Sequence, residues 1–279
     1  MIKPVLQNDA FLEDVTRAKS KPDKLHLWWL GQSGYLIQWQ SHHLLIDPYL
    51  SDSLTKKYAG TNKPHVRMTE RVIAPERLDF VDVVTSSHNH TDHLDGETLI
   101  PLREANPNLT VLVPRANVHF AAERLQIPAE KLSSIRVDDE AMKIDPFTFY
   151  AIPSAHETLE RDENGDYRCM GLIVQFGKWT IYHSGDCIPY NGLVDRLEQW
   201  KIDLALLPIN GRDPARGVAG NFTCEEAAQL GREFNAGLVI PCHYEMFEFN
   251  TVSPERFVKA AEQIGQKYHV LKCGERLDL

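Results

Sequence analysis

The chain has 279 residues, 43% of them apolar and 25% charged, a composition that excludes a disordered or fibrous protein. Thirty basic against thirty-nine acidic side chains leave a net charge of −9, so neither nucleic acid nor a membrane surface is expected as a partner. Five cysteines without a C-x-x-C pair argue against a disulfide framework, and the absence of an apolar leader or a run of about 20 apolar residues makes the chain read as cytoplasmic.

In chain order, short apolar runs predict strands at Leu25–Leu30, Tyr35–Trp39, Leu44–Ile46, Val81–Thr85, Thr110–Val113, Phe147–Ile152, Leu172–Phe176, Thr180–His183, Leu204–Leu207 and Leu238–Ile240. Several are apolar on both faces, which implies sheets covered on both sides. Helices are expected near Phe11–Lys19, Glu97–Ala105, Asn117–Leu125 and Leu193–Gln199. Thr223-x-x-Glu226 forms a capping box for a further helix to about Phe234, and Ser253-Pro254 opens another that Gly265 closes. Early strands form hairpins and later ones alternate with helices, so the class is mixed α/β, read as one domain over residues 1–279. Pro48–Leu78 has weak periodicity and many charges; a loop that long reads as the rim of a site or as a solvated insertion.

Directly after the strand Val81–Thr85 comes Ser86-Ser87-His88-Asn89-His90-Thr91-Asp92-His93. His88 and His90, two apart on an extended chain, project to one side and can share a metal, while the turn at Thr91 aims Asp92 and His93 toward a second. Three more candidates sit just past other predicted strands: His156, Asp186 and His243. Together they make a His/Asp set large enough for two metals with Asp186 bridging. The other seven histidines are assigned to surface or satisfied core positions, with His65, in the long loop, kept as a candidate substrate contact.

These motifs, His88-x-His90-x-Asp92-His93, His156, Ser184-Gly185-Asp186 and His243, resemble the ordered motifs of the metallo-β-lactamase superfamily. The resemblance implies a four-layer αβ/βα sandwich with a binuclear site at one edge of two facing sheets. Position by position it implies one metal on His88, His90 and His156, another on Asp92, His93 and His243, and Asp186 between them. Trp28-Trp29-Leu30-Gly31-Gln32-Ser33-Gly34, Ile181–Asp186, Pro214-Ala215-Arg216-Gly217 and Val239–His243 are similar to the L-ascorbate-6-phosphate lactonase branch, whose members are cytoplasmic, oligomeric and often active with manganese. A homo-oligomer is therefore expected. His156 departs from that branch, where an acidic residue is expected, and is also similar to phosphodiesterases that cleave N-acyl-phosphatidylethanolamine.

Two divalent ions, zinc or manganese, would make hydroxide available near neutral pH, with Asp92 as the orienting catalytic residue. The substrate is expected to be a small molecule with an ester-like bond, a lactone of a phosphorylated sugar acid first and a phosphodiester second; a non-catalytic metal or ligand sensor is the reading from a different class. Arg216 is the first candidate to grip a phosphate, then Arg212, with Asn210 in the same loop and Lys56, Lys57, Lys63 and Arg67 contributing from the long loop.

Overall fold

The computed structural model describes residues 1–279. Two adjacent tryptophans show how the interior is divided. Both lie in strand β1 (Leu25–Gly31), where successive side chains point to opposite faces. Trp28 turns outward to helix α1 (Asp9–Ala18), edge-on to Phe11 at 6.2 Å with its indole N–H donating to Asp14 at 3.0 Å. Trp29 turns inward onto Tyr244 at 4.4 Å. Both are core residues.

β2 (Gly34–Trp39) and β3 (His42–Ile46) continue from β1 as an antiparallel meander. β4 (Val83–Thr85), β5 (Thr110–Pro114) and β6 (Ser133–Ile135) then add in parallel, and the chain's last strand, Arg276–Asp278, closes on the free edge of β1. The second sheet holds β7 (Met142–Ile144), β8 (Phe147–Pro153), β9 (Met170–Phe176), β10 (Trp179–His183), β11 (Leu204–Pro208) and β12 (Leu238–Cys242), in spatial order β12-β11-β10-β9-β8-β7. The sheets meet face to face, with Tyr35 against His183 and Trp39 against Phe176 at ring separations of 6.4 and 5.9 Å.

Helix α2 (Ser53–Lys57) sits inside the long loop. α3 (Gly96–Ala105) and α4 (Val118–Leu125) join α1 over the first sheet. After α5 (Leu193–Leu197), α6 (Cys224–Glu233) packs on β11 and β12, and α7 (Pro254–Ile264) packs on α6. The expected four-layer α/β sandwich is the fold observed.

All ten predicted strands form, most a residue or two longer than their apolar runs, though β4 begins only at Val83. The unpredicted strands are β6, β7 and the C-terminal Arg276–Asp278, three residues each and mostly half-buried; sheet pairing rather than local pattern makes them strands. The capping box is present in full, with Thr223 Oγ1 accepting from Glu226 N–H at 3.2 Å and Glu226 accepting from Thr223 N–H at 2.9 Å.

β10, β11 and β12 are mutually parallel, and β8 runs the same way because both it and β10 are antiparallel to β9. The C-terminal ends of β8, β10 and β12 thus share one edge of their sheet, and those of the parallel pair β3 and β4 share one edge of the other. Every candidate ligand follows one of these ends.

Replacing Thr223 by Ala removes one half of the cap and is expected to lower stability by about 1 kcal/mol, read as a lower denaturant midpoint at unchanged slope; an unchanged midpoint would contradict it.

Candidate metal centre

The turn that follows β4 is built from its own polar side chains. Ser86 Oγ donates to the His88 carbonyl at 2.7 Å, and the N–H groups of His93 and Leu94 donate to the His90 carbonyl at 3.1 and 2.8 Å. Arg124 of α4 clamps the turn from outside, donating to the Asn89 and Leu94 carbonyls at 2.6 and 3.1 Å. The result is a cramped loop that brings four ligand-type side chains to one place.

His88, His90 and the distant His156 have ring nitrogens within 4.8 Å of one another, and Asp92, His93 and His243 form a second trio within the same limit. Asp186 lies between them: Oδ1 is 3.3 Å from His93 Nε2, and Oδ2 is 3.4 Å from both His156 Nε2 and His243 Nε2. All seven predicted ligand residues therefore converge, from four separate strand ends.

Buried groups line this centre without hydrogen bonds. His88 Nε2, His93 Nε2 and Asp186 Oδ1 have no aligned partner, each a cost of about 1–3 kcal/mol if left unmet. The His93 nitrogen and the Asp186 oxygen are close but not aligned as donor and acceptor, an arrangement that suits two groups facing a common cation. Imidazole and carboxylate donors fit zinc and manganese alike. Cys187 and Cys242 each follow a ligand or precede one in sequence, but neither belongs to a group of ligand atoms close enough to share an ion, and burial pushes the Cys187 thiol up to about 12. All five cysteines are free thiols.

The outer nitrogens are held as well, which fixes ring orientation. Asp47, directly after β3, takes His93 Nδ1 at 2.6 Å and Ser87 N–H at 2.8 Å, and Ser87 Oγ also donates to it. His156 Nδ1 donates to the Gly220 carbonyl at 3.0 Å. Three residues around the centre adopt the left-handed backbone region without being glycine: Gln32, Asp47 and His243. Such conformations persist only where the surroundings enforce them. Gly185, also at positive φ, leaves room for Ser87, whose Cβ would lie 2.7 Å from any added Cβ.

Electrostatically the centre is polarised. Burial opposes ionisation of Asp92 and Asp186, yet the surrounding His93 and His243 hold both carboxyls well below the usual range. Burial likewise lowers the imidazole of His93, but Asp186 and Asp92 raise it well above its ordinary value, and the same carboxylates push His243 up to about 9. His88 is driven the other way by burial and by neighbouring His93 and His90.

The centre opens into a cavity of about 430 Å³ whose lining includes His90, Asp92, His156, His243, His65 and Asn250. Part of its wall comes from the long loop, through Leu54, Lys57, Tyr58, Lys63 and His65. That loop is pinned rather than solvated: Tyr49 and Leu54 pack with Met246 and Phe247, and Arg67 bridges to Phe247. His65 lies against the cavity, as its place in the long loop suggests, and stacks on Tyr58 at 4.3 Å.

The arginines are placed differently. Arg212 is committed to Glu226 in a bidentate pair at 2.6 and 2.5 Å, and it lines a neighbouring cavity that also reaches His156. Arg216 donates to the Asn210 carbonyl at 2.7 Å and to Asn250 at 3.3 Å, and the Asn210 amide donates to Asn250 at 2.9 Å. Neither Arg216 nor Asn210 lines the cavity over the centre. Lys56 pairs with Glu97 at 2.7 Å, and Arg67 donates to the carbonyls of Ser51 and Thr69. The cations that do line the cavity are Lys57, Lys63 and Arg124.

A sequence model of the beta-lactamase superfamily domain matches residues 42–244, which contain all seven candidate ligands. A metal-dependent hydrolase of Agrobacterium fabrum is 26% identical over 260 residues, covering 91% of this chain and 99% of that one. A probable L-ascorbate-6-phosphate lactonase of Escherichia coli is 23% identical over 275 residues, covering 87% of this chain and 76% of its own length. Among solved structures, a possible metal-dependent hydrolase from Veillonella parvula superposes with a TM-score of 0.72 at 17% identity, covering 91% of this chain and 99% of that one.

An ion entering the Asp92, His93 and His243 trio must displace protons from the two raised imidazoles. Loading the metal-free protein at pH 7 is therefore expected to release protons from that trio, with affinity for the ion rising as the pH climbs toward 9. Calorimetric titration in buffers of different ionisation enthalpy counts them; no proton release would contradict the arrangement. The matched sequence model and the two-sheet architecture agree: this chain belongs to the beta-lactamase superfamily, as a metal-dependent hydrolase of the metallo-β-lactamase type.

Proposed function

We propose that the centre holds two divalent ions, one on His88, His90 and His156 and one on Asp92, His93 and His243, with Asp186 shared, and that the enzyme opens a lactone of a phosphorylated sugar acid. The observation that carries the binuclear reading is the reach of the Asp186 carboxylate, 3.3–3.4 Å from nitrogens of both trios. Divalent ions bound there supply Lewis acidity toward the scissile oxygen and bring the ionisation of water toward neutral pH.

The protein's own groups do the rest. Asp92, side chain 16% exposed to the cavity, is kept ionised and accepts from Gln32 Nε2 at 2.7 Å, so it can accept a hydrogen bond from an attacking water and orient it. A carboxyl held that low carries no proton to give at neutral pH, so the leaving alkoxide takes its proton from water. His65 Nδ1 donates to the Lys63 carbonyl at 2.9 Å and burial lowers its imidazole, so Nε2 is left as an acceptor that can receive a hydrogen bond from a substrate hydroxyl. Lys57, Lys63 and Arg124 against one carboxylate, Asp92, give the lining a cationic balance that favours an anionic substrate end. The lactonase name of the Escherichia coli relative supports the same substrate class. On this reading Arg216 and Asn210 act through Asn250, and Lys57 and Lys63 take the phosphate-gripping role expected of the arginines.

The loaded enzyme is expected to hydrolyse members of a lactone panel faster than bis(p-nitrophenyl) phosphate. The reverse ranking would make it a phosphodiesterase, and no turnover of either class would leave a sensor. Lys57→Ala and Lys63→Ala should each raise KM for a phosphorylated lactone about tenfold while sparing the dephospho analogue; equal effects on both would contradict the phosphate reading.

A further inference from the structure

Gln32 lies in the turn between β1 and β2, buried and outside the segment matched to the family. Its backbone is fixed: its carbonyl accepts from Trp29 Nε1 at 3.0 Å and from His243 N–H at 2.9 Å. Its side-chain amide lies 2.7 Å from Asp92 Oδ2 and 2.9 Å from His243 Nε2. With the amide nitrogen facing those two atoms, Oε1 is buried with no partner. A half-turn of the amide exchanges nitrogen and oxygen without moving any other atom. Oε1 would then face Asp92 Oδ2, acceptor against acceptor, an arrangement stable only with a cation between them.

We propose that Gln32, through Oε1, is an additional ligand of the ion held by Asp92, His93 and His243. The inference rests on the two-ion reading above. A carboxamide oxygen adds a hard donor to that ion and none to the one on His88, His90 and His156, so the two positions differ in coordination. The oxygen-richer position is shifted toward Mn²⁺ relative to the other one, since carbonyl and carboxylate oxygens suit manganese. In the metal-free chain the same amide, nitrogen inward, donates to Asp92 Oδ2 where the cation would sit.

The test compares Gln32→Ala and Gln32→Glu with the native enzyme, with manganese and zinc as probes, by calorimetry and by elemental analysis after gel filtration. Gln32→Ala is expected to weaken the second Mn²⁺ at least tenfold, leave the first unchanged, and shift the preference toward zinc. Gln32→Glu keeps an oxygen but loses the donor, so it should retain or tighten the second ion. If the amide serves only to donate a hydrogen bond to Asp92, Gln32→Glu would set two carboxylates against each other and lose the second ion at least as badly as Gln32→Ala; that result would overturn the proposal, as would unchanged manganese affinity in Gln32→Ala. A native protein that binds fewer than two ions would instead sink the two-ion reading. Melting curves of both metal-free variants separate misfolding from lost ligation.

Discussion

Burial of the Asp186 carboxylate among imidazoles is the constraint on which the centre depends. Taking an ionised carboxylate out of water is costly unless positive charge and hydrogen bonds replace the solvent. The imidazoles of His93 and His243, raised by Asp186 and Asp92, replace it partly, but Asp186 Oδ1 stays without a hydrogen bond. Bound cations would finish the compensation.

The fold places this costly cluster where rigid elements can hold it. Strands run in parallel in both sheets so that the ends of β3, β4, β8, β10 and β12 open at one edge, and each contributes residues from a short, hydrogen-bonded turn. Asp47, Gln32 and His243 are held in left-handed conformations there, while Gly185 makes room for Ser87. The core beneath is continuous across both sheets, so ligands are anchored to rigid strands. The long loop adds a wall rather than a ligand, and with it the lysines that give the cavity its charge.

Much of this was legible because strand ends and ligand spacing are local. H-x-H-x-D-H after an apolar run, and a lone His or Asp just past three other runs, were enough to assemble the seven residues that converge. Asp47 obeys the same rule, following Leu44–Ile46 directly, and could have been found by it. Gln32 could not, because its role arises from a close approach to Asp92 and His243, residues distant along the chain. Arg124 gave no signal either; on a helix it looks like any solvated arginine, and only tertiary packing brings it over the Asn89 carbonyl. The partners of Arg212 and Arg216 were hidden for the converse reason, since a loop sequence shows charge but not the Glu226 and Asn210 groups that meet it. The short strands β6 and β7 have no pattern of their own and are defined by their neighbours.

The most direct measurement is anomalous X-ray diffraction from crystals of the metal-loaded enzyme, recorded on both sides of the absorption edge of the bound element. Two peaks are predicted, one among His88, His90 and His156 and one among Asp92, His93 and His243, each within about 2.5 Å of an Asp186 oxygen. A single peak, or peaks remote from Asp186, would contradict a shared binuclear centre.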